Sequence, residues 1–241
     1  MKNFFTLSVM LLFAVFSQVK AADPVSHAKW DELLKKHVSA KGNVSYKGFK
    51  TDMAKLDEYL KLLTENQPKS TWTSNQKKAY WINAYNAYTV KLILINYPIK
   101  SIKDINKLFG GPWKMKFFDL GEAKDLDHIE HQILRKDFND PRIHFGIVCA
   151  SYSCPRLSNK AFTGDNVDAE LTALAKDFVN DPNRNKISEN KVELSEIFKW
   201  FKDDFTKGGV TLIDFLNKYS NVKISDKAKV SYLKYNWALN E

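Results

Sequence analysis

Apolar residues recur at helical spacing along much of the chain. Trp30, Leu33, Leu34 and Val38 make one stripe, and Phe49, Met53, Leu56, Leu60 and Leu63 make a second. Both segments are therefore expected as helices. Between them Gly42-Asn43 marks a turn into a short extended piece, Val44-Ser45-Tyr46. Ser74 stands as the N-cap of a longer helix that runs to Asn96 and stops at Tyr97-Pro98. Asp125 caps a helix from Leu126 to about Phe138, with Ile129, Ile133 and Leu134 on its apolar side. Val167, Leu171, Leu174 and Phe178 give another, Ser195-Glu196 open an aromatic helix through Phe205, and Leu212 to Tyr219 forms the last.

Strand patterns gather after the first hundred residues. Trp113 to Leu120 is rich in β-formers and ends at Gly121, and the apolar run Ile143 to Val148 reads as a buried strand. Lys186 to Leu194 reads as a hairpin turning at Glu189-Asn190, and Val230 to Tyr235 alternates as a strand. Helices and strands do not alternate as βαβ units. The expectation is α+β: a helix-rich single domain packed on a small, mainly antiparallel sheet.

The first residues follow another pattern. Lys2 precedes an almost wholly apolar stretch, Phe4 to Phe16, and Val19-Lys20-Ala21 offers small residues where a signal peptidase cleaves. Residues 1–21 are expected as a signal peptide and 22–241 as one globular domain, periplasmic or secreted. The apolar core is too short for a stable membrane span. No cysteine follows it to carry a lipid.

Composition adds little to this picture but narrows the partners. The chain of 241 residues is 44% hydrophobic and 13% aromatic, enough for a substantial core. Loss of Lys2 and Lys20 with the signal lowers the net charge from +9 to +7. The surplus is lysine scattered among acids, with no arginine cluster. That pattern argues against nucleic acid and suits a solvated surface facing an anionic envelope. A small molecule, a peptide or an envelope component is the expected partner, and no cofactor is expected.

Candidate chemistry centres on the cysteines, Cys149 and Cys154, at the two ends of a short polar loop. Outside the cytosol such a pair is a disulfide, a metal site or a reactive centre. Cys149 leaves a buried segment where side chains enter clefts, and backbone N–H groups of residues 150–153 could favour its thiolate. A disulfide is disfavoured by reach: five extended residues span about 17 Å, against the 7 Å or so that a bridge allows between Cα atoms. Pro155 further biases Cys154 toward extended conformations.

His131 is the candidate base, with Asp127 one helical turn earlier to orient it. Glu130 should point about 100° away around an α-helix, which makes it a neighbour of the site or a partner for Arg135. His144 is rejected as base, because on a strand it would face away from Cys149; it remains a lining candidate. His128 and His131 with Cys149 would make a weak metal set, and no metal is expected. Asn83 and Asn86 share one face of an apolar helix, either as a core network or as the lining of a cleft. Tyr85 and Tyr88 read as core or pocket wall, and Phe198, Trp200, Phe201 and Phe205 as packing.

Several segments, taken in order, resemble the family called domain of unknown function 547. They are Trp81 to Ala87, Leu126 to Arg135 with its Ile-Glu-His, Arg142 to Phe145 with Cys149, Ser153-Cys154-Pro155, Leu194 to Phe201, and Tyr235 to Asn240. The resemblance spans about residues 72–240. It implies an exported bacterial protein and a relation to papain-like folds, in which a cysteine and a histidine work across a cleft. His128, Gln132 and Asn236 depart from the residues usual in that family, and Asn236 is the position the resemblance would give to a group orienting the histidine.

The sequence thus supports a cysteine-dependent hydrolase or acyl transferase acting on an amide, ester or thioester. In that reading Cys149 attacks, His131 takes the proton, and Asn83 or Asn86 orients the base or binds the oxyanion. Its alternatives are a non-enzymatic envelope binding module with structural cysteines, and a thiol redox or glutathione-related activity.

Overall fold

In the computed structural model, which describes residues 23–105 and 110–241, the chain opens with α1 (Ala28–His37), α2 (Tyr46–Thr51) and α3 (Met53–Glu65). The expected signal peptide lies outside the described residues. The single helix expected over 49–63 is broken at Asp52, whose φ is −107° and ψ 23°. Its carboxylate is drawn off to His37 Nε2 at 2.5 Å and Lys36 Nζ at 2.7 Å, so α1 and the α2–α3 junction are tied together. Gly42 turns the chain at φ +83°, with Arg156 so near that a Cβ would lie 2.3 Å from the Arg156 Cβ.

Helix α4 (Ser74–Asn96) is the axis of the molecule. Thr73, one residue before the expected cap, accepts from the Gln76 N–H, and the Gln76 side chain accepts from the Thr73 N–H. From Ala79 to Val90 every residue is buried. Such a helix carries no polar face because other elements cover it on all sides. One contiguous cluster of buried apolar side chains runs from Val25 to Ile224 around it.

The next helix is not the regular α-helix expected from Leu126 onward. A turn α5 (Leu126–His128), capped by Asp125 as foreseen (Oδ1 to the His128 N–H, 2.8 Å), passes into a π-helix over Ile129–Leu134 and then α6 (Arg135–Asp137). The Arg135 N–H donates to the Glu130 carbonyl, five residues back.

The strand expected over 143–148 is absent. Ile143–Gly146 forms one helical turn, α7, followed by extended backbone at Ile147. All six residues are buried, so neither a period of 2 nor one of 3.6 shows in the sequence. Trp113 to Leu120 also forms no strand. Pro112–Lys114 makes a 3₁₀ turn, and a lone bridge joins Leu120 to Ala123.

Helix α8 (Val167–Asn180) packs on α7, and Leu171 fills the space a Cβ on Gly146 would need, at 2.6 Å. The hairpin β1 (Lys186–Ile187) and β2 (Lys191–Leu194) forms as read. Two short helices, α9 (Ile197–Trp200) and α10 (Lys202–Phe205), replace the single aromatic one. Helix α11 (Leu212–Asn217) and β3 (Lys229–Tyr232) complete the chain.

The class is helix-rich α+β as expected. The sheet, however, is mixed rather than mainly antiparallel: β1 pairs antiparallel with β2, and β3 lies parallel on the other side of β2, with Val192 opposite Val230. The three helices between β2 and β3 form the crossover that a parallel pairing requires. Among the described residues no helix is long and apolar enough to cross a membrane.

The two amides of α4 act as staples. Asn83 Nδ2 donates to the Phe162 carbonyl at 2.7 Å, and its Oδ1 accepts from the Phe162 N–H at 3.0 Å. Asn86 does the same to Gly146 O (2.8 Å) and Val148 N–H (2.9 Å). Each amide stands in for a strand edge where the neighbouring chain has none. Asn83→Ala leaves two buried backbone groups unpaired, at about 1–3 kcal/mol each. Urea unfolding should show a loss of at least that size, and a change within about 0.5 kcal/mol, as for an ordinary surface substitution, would contradict the role.

Candidate active site

A cavity of about 250 Å³ lies between the π-helix, the loop after α7, α9 and the C-terminal segment. Cys149 and Cys154 line it, together with Glu130, His131, Asp127, His144 and Tyr85. Its remaining wall is mostly aromatic and aliphatic, with Trp113, Trp200, Trp237, Tyr235, Phe201 and Ile147 among its members, and Lys114 adds a cation.

The turn at Cys149 is fixed from three sides. Asn86 holds the backbone just before it. Ala150, fully buried, takes a left-handed conformation at φ 55°, a strain that persists only where the surroundings impose it. The Tyr152 N–H then donates to Ala238 O at 2.7 Å and the Asn240 N–H to Ala150 O at 3.2 Å, so the C-terminal segment clamps the loop. The loop folds back until the Cys149 N–H donates to Cys154 Sγ at 3.0 Å. The sequence argument from an extended span therefore fails, because Ala150 and the Ser151–Cys154 turn shorten it. Both cysteines are free thiols.

Around the Cys149 sulfur stand Ser151 Oγ at 3.0 Å and Tyr235 OH at 3.2 Å, themselves 3.0 Å apart. The Cys154 thiol, in hydrogen-bonding reach of the same sulfur, is the strongest influence pulling the Cys149 pKa down to about 7. Burial opposes it, and the Ser151 and Tyr235 hydroxyls add to it. Burial and the neighbouring Cys149 push Cys154 the other way, well above the usual thiol range. One thiol is primed for ionisation at the other's expense.

His131 and Glu130 both face the cavity. On an α-helix neighbours diverge by about 100°, but the wider π turn reduces that angle. π-bulges are frequent at functional sites for this kind of re-aiming. Arg135 Nη1 lies 2.8 Å from His131 Nδ1. A guanidinium only donates, so Nδ1 accepts, and the proton of neutral His131 sits on Nε2. The orienter foreseen from sequence, Asp127, is 3.8 Å from Nε2, too long for a hydrogen bond. Arg135, which sequence reasoning offered to Glu130, is instead held by Asp204 through Nε (2.6 Å) and Nη2 (3.1 Å).

Asp204 also meets His144 Nε2 at 2.7 Å. Burial disfavours its charge, but the His144 and Arg135 hydrogen bonds outweigh this and hold the carboxyl far below its usual range. His144 lies flat on Phe201, with ring centroids 4.0 Å apart. Burial drives its pKa down, with Asp204 opposing. Because residues 143–146 are helical and not a strand, His144 lies on the cavity side after all. Glu130, 9% exposed, accepts from the Tyr85 hydroxyl at 2.9 Å. Burial raises its carboxyl pKa, against the pull of His131 and Tyr85.

Asn83 does not reach the cavity; both ends of its amide are spent on Phe162. Asn86 acts on the site only through the backbone before Cys149. Asn236 does not meet the histidine: its N–H donates to Ser153 Oγ at 2.9 Å and its Oδ1 accepts from the Ala238 N–H at 3.0 Å, a brace for the clamp. Among the described residues no three His, Cys, Asp or Glu side chains converge as a metal set. Phe198 and Phe205 are core, as read. Trp200 and Phe201 line the cavity instead, and Trp200 is 45% exposed.

Ser151, Tyr235 and Asp204 were not singled out from sequence, and Arg135 was considered only as a partner for Glu130. Arg135 lies one α-helical spacing after His131 and was the accessible signal. Tyr235 and Asp204 come from distant elements. Alkylation of Cys149 by iodoacetamide should rise with pH through a midpoint near 7, since only the thiolate reacts, and Tyr235→Phe should move that midpoint up. A wild-type midpoint at about 8.5, that of an ordinary thiol, would contradict the donor arrangement.

No curated protein and no solved structure matches the chain. Residues 69–179 match the family described as "Protein of unknown function, DUF547". The match covers α4 to α8 and carries both asparagines, Glu130, His131 and both cysteines, but stops well short of the C-terminal segment that bears Tyr235 and Trp237. Over residues 69–179, the chain is similar to the DUF547 family.

Proposed function

We propose that the protein is a cysteine-dependent acyl-transfer enzyme, a hydrolase or acyl transferase acting on an ester, thioester or amide outside the cytosol. The observation that carries this reading is the Cys149 sulfur, set among hydroxyl and thiol donors in a cavity it shares with Glu130 and His131. Those donors favour the thiolate without a base in contact with it. Its sulfur attacks the carbonyl carbon of the acyl group, and the carbonyl π electrons move to oxygen.

His131 presents Nε2–H to the cavity, which suits it to hydrogen-bond that oxyanion rather than to take the thiol proton. Glu130, its carboxyl pKa raised by burial, has the character of a proton carrier. Protonated, it gives its proton to the leaving group as the carbon–heteroatom bond breaks. Ionised, it takes one from the water or acceptor that releases the acyl group from sulfur. Tyr85 holds it in place. The aromatic wall excludes water from the acyl portion.

The reading is tested with nitrophenyl esters and acyl thioesters as generic acyl donors. Cys149→Ala should reduce turnover to background, and Glu130→Gln should lower it by about 10²–10⁴-fold. His131→Ala should cost about 10²–10³-fold, as for loss of an oxyanion donor. His131→Gln, which keeps an N–H donor but no base, should recover much of that loss. Equal losses in the two His131 variants would exclude the donor role, and full turnover in Cys149→Ala would exclude the reading as a whole.

A further inference from the structure

The loop that presents Cys149 also brings a second sulfur to it, and acyl transfer uses only one. Cys154 is 3% exposed and lies beneath Cys149, whose N–H points at Cys154 Sγ from 3.0 Å. Both sulfurs line the cavity, and Cys149 is the more open of the two, so a small solute meets Cys149 more readily. The fold-back through Ala150 has already closed the loop that a 149–154 bridge would need. No large backbone movement stands between two free thiols and a bond.

We propose that Cys149 and Cys154 are a peroxidatic and resolving pair: a hydroperoxide entering the cavity oxidises Cys149 to a sulfenic acid, and Cys154 closes it to a reversible disulfide that blocks the site. In the first step the Cys149 thiolate sulfur bonds to one peroxide oxygen and the O–O bond breaks. The other oxygen leaves as hydroxide or alkoxide, so the sulfur is oxidised by two electrons and the peroxide reduced by two. In the second step Cys154 sulfur attacks the sulfenic sulfur. The S–S bond forms, the S–O bond breaks, and the oxygen departs as water with the Cys154 proton. A dithiol reductant restores both thiols by exchange.

The pairing makes chemical sense of a thiolate that opens to a cavity. A low-pKa thiol without a neighbour proceeds to sulfinic acid, which is irreversible, whereas an adjacent thiol diverts it to a disulfide. This exchange requires access to Cys149 and does not depend on the acyl chemistry, so either can fail alone.

The test is peptide mapping by mass spectrometry of the folded, reduced full chain after brief exposure to hydrogen peroxide. Wild type should lose two hydrogens, yield a Cys149–Cys154 linked peptide, and become unreactive to iodoacetamide until dithiothreitol is added. Cys154→Ser and Cys154→Ala should instead carry one added oxygen at Cys149, trapped by dimedone, and then advance to sulfinic acid. Cys149→Ser should leave Cys154 unmodified. The proposal is overturned if wild type forms sulfinic acid at Cys149 without the linked peptide, or if Cys154 is oxidised while Cys149 is not. The wild-type map is decisive even if a variant fails to fold.

Discussion

The cavity depends on a reversal of the backbone at Cys149, which the chain cannot hold by local structure alone. A non-glycine residue at positive φ costs about 1–3 kcal/mol, and the neighbouring N–H and C=O groups have no helix or strand to join. Three supports, two of them remote in sequence, supply what is missing. Asn86 on α4 bonds the backbone on the N-terminal side of the turn, the Cys154 sulfur receives the Cys149 N–H, and residues 236–240 clamp the far side. The Cys149 sulfur is thus positioned in part by groups more than 60 residues away in either direction, held in turn by the buried α4 and by Tyr46, whose hydroxyl donates to Asn240 Oδ1 at 2.7 Å. The support from α4 is rigid because that helix is a buried core element rather than a loop.

Charge is arranged with the same economy. Asp204, from α10, joins His144 and Arg135, and Arg135 reaches on to His131. One ionised carboxylate therefore fixes two histidines, one directly and one through a guanidinium. His131, whose Nδ1 accepts from Arg135, is left with its proton on Nε2. The buried Glu130 sits opposite in character, its charge disfavoured. In the proposed mechanism these two environments, on adjacent residues of one π-helix, suit a hydrogen-bond donor and a proton carrier.

Much of this was legible in the sequence and some could not be. The helices at 28–37, 74–96, 167–180 and 212–217 follow from apolar period and caps, because each either exposes a polar face or begins at a Ser, Thr or Asp signal. Cys149, His131 and Glu130 stood out as residue types. What failed were inferences that needed a backbone angle: an α-helix was assumed at 129–134 and a strand at 143–148. Full burial hides period, and a π turn has no side-chain signature. Those two errors account for Asp127 being offered as the orienter of His131 and for His144 being turned away from Cys149, whereas Glu130 and His144 do line the cavity as the sequence reading allowed. Asn83 was read as chemistry because a buried amide pair fits either a cleft or a staple, and only the loops at Phe162 and Gly146 distinguish them. Tyr235 and Asp204 could not be assigned, since nothing local shows that the segment after β3 returns to Cys149 or that α10 returns to Arg135 and His144.

The central claim is that Cys149 is a nucleophile toward acyl carbon. The most direct measurement is intact-protein mass spectrometry under acidic quench, after mixing the reduced protein with an activated aryl ester whose acyl group is slow to hydrolyse. A single acyl adduct that maps to Cys149, is released by neutral hydroxylamine and is absent from Cys149→Ala is the predicted result. An unmodified Cys149 in a protein whose thiol still alkylates readily, or acylation confined to surface lysines, would contradict it.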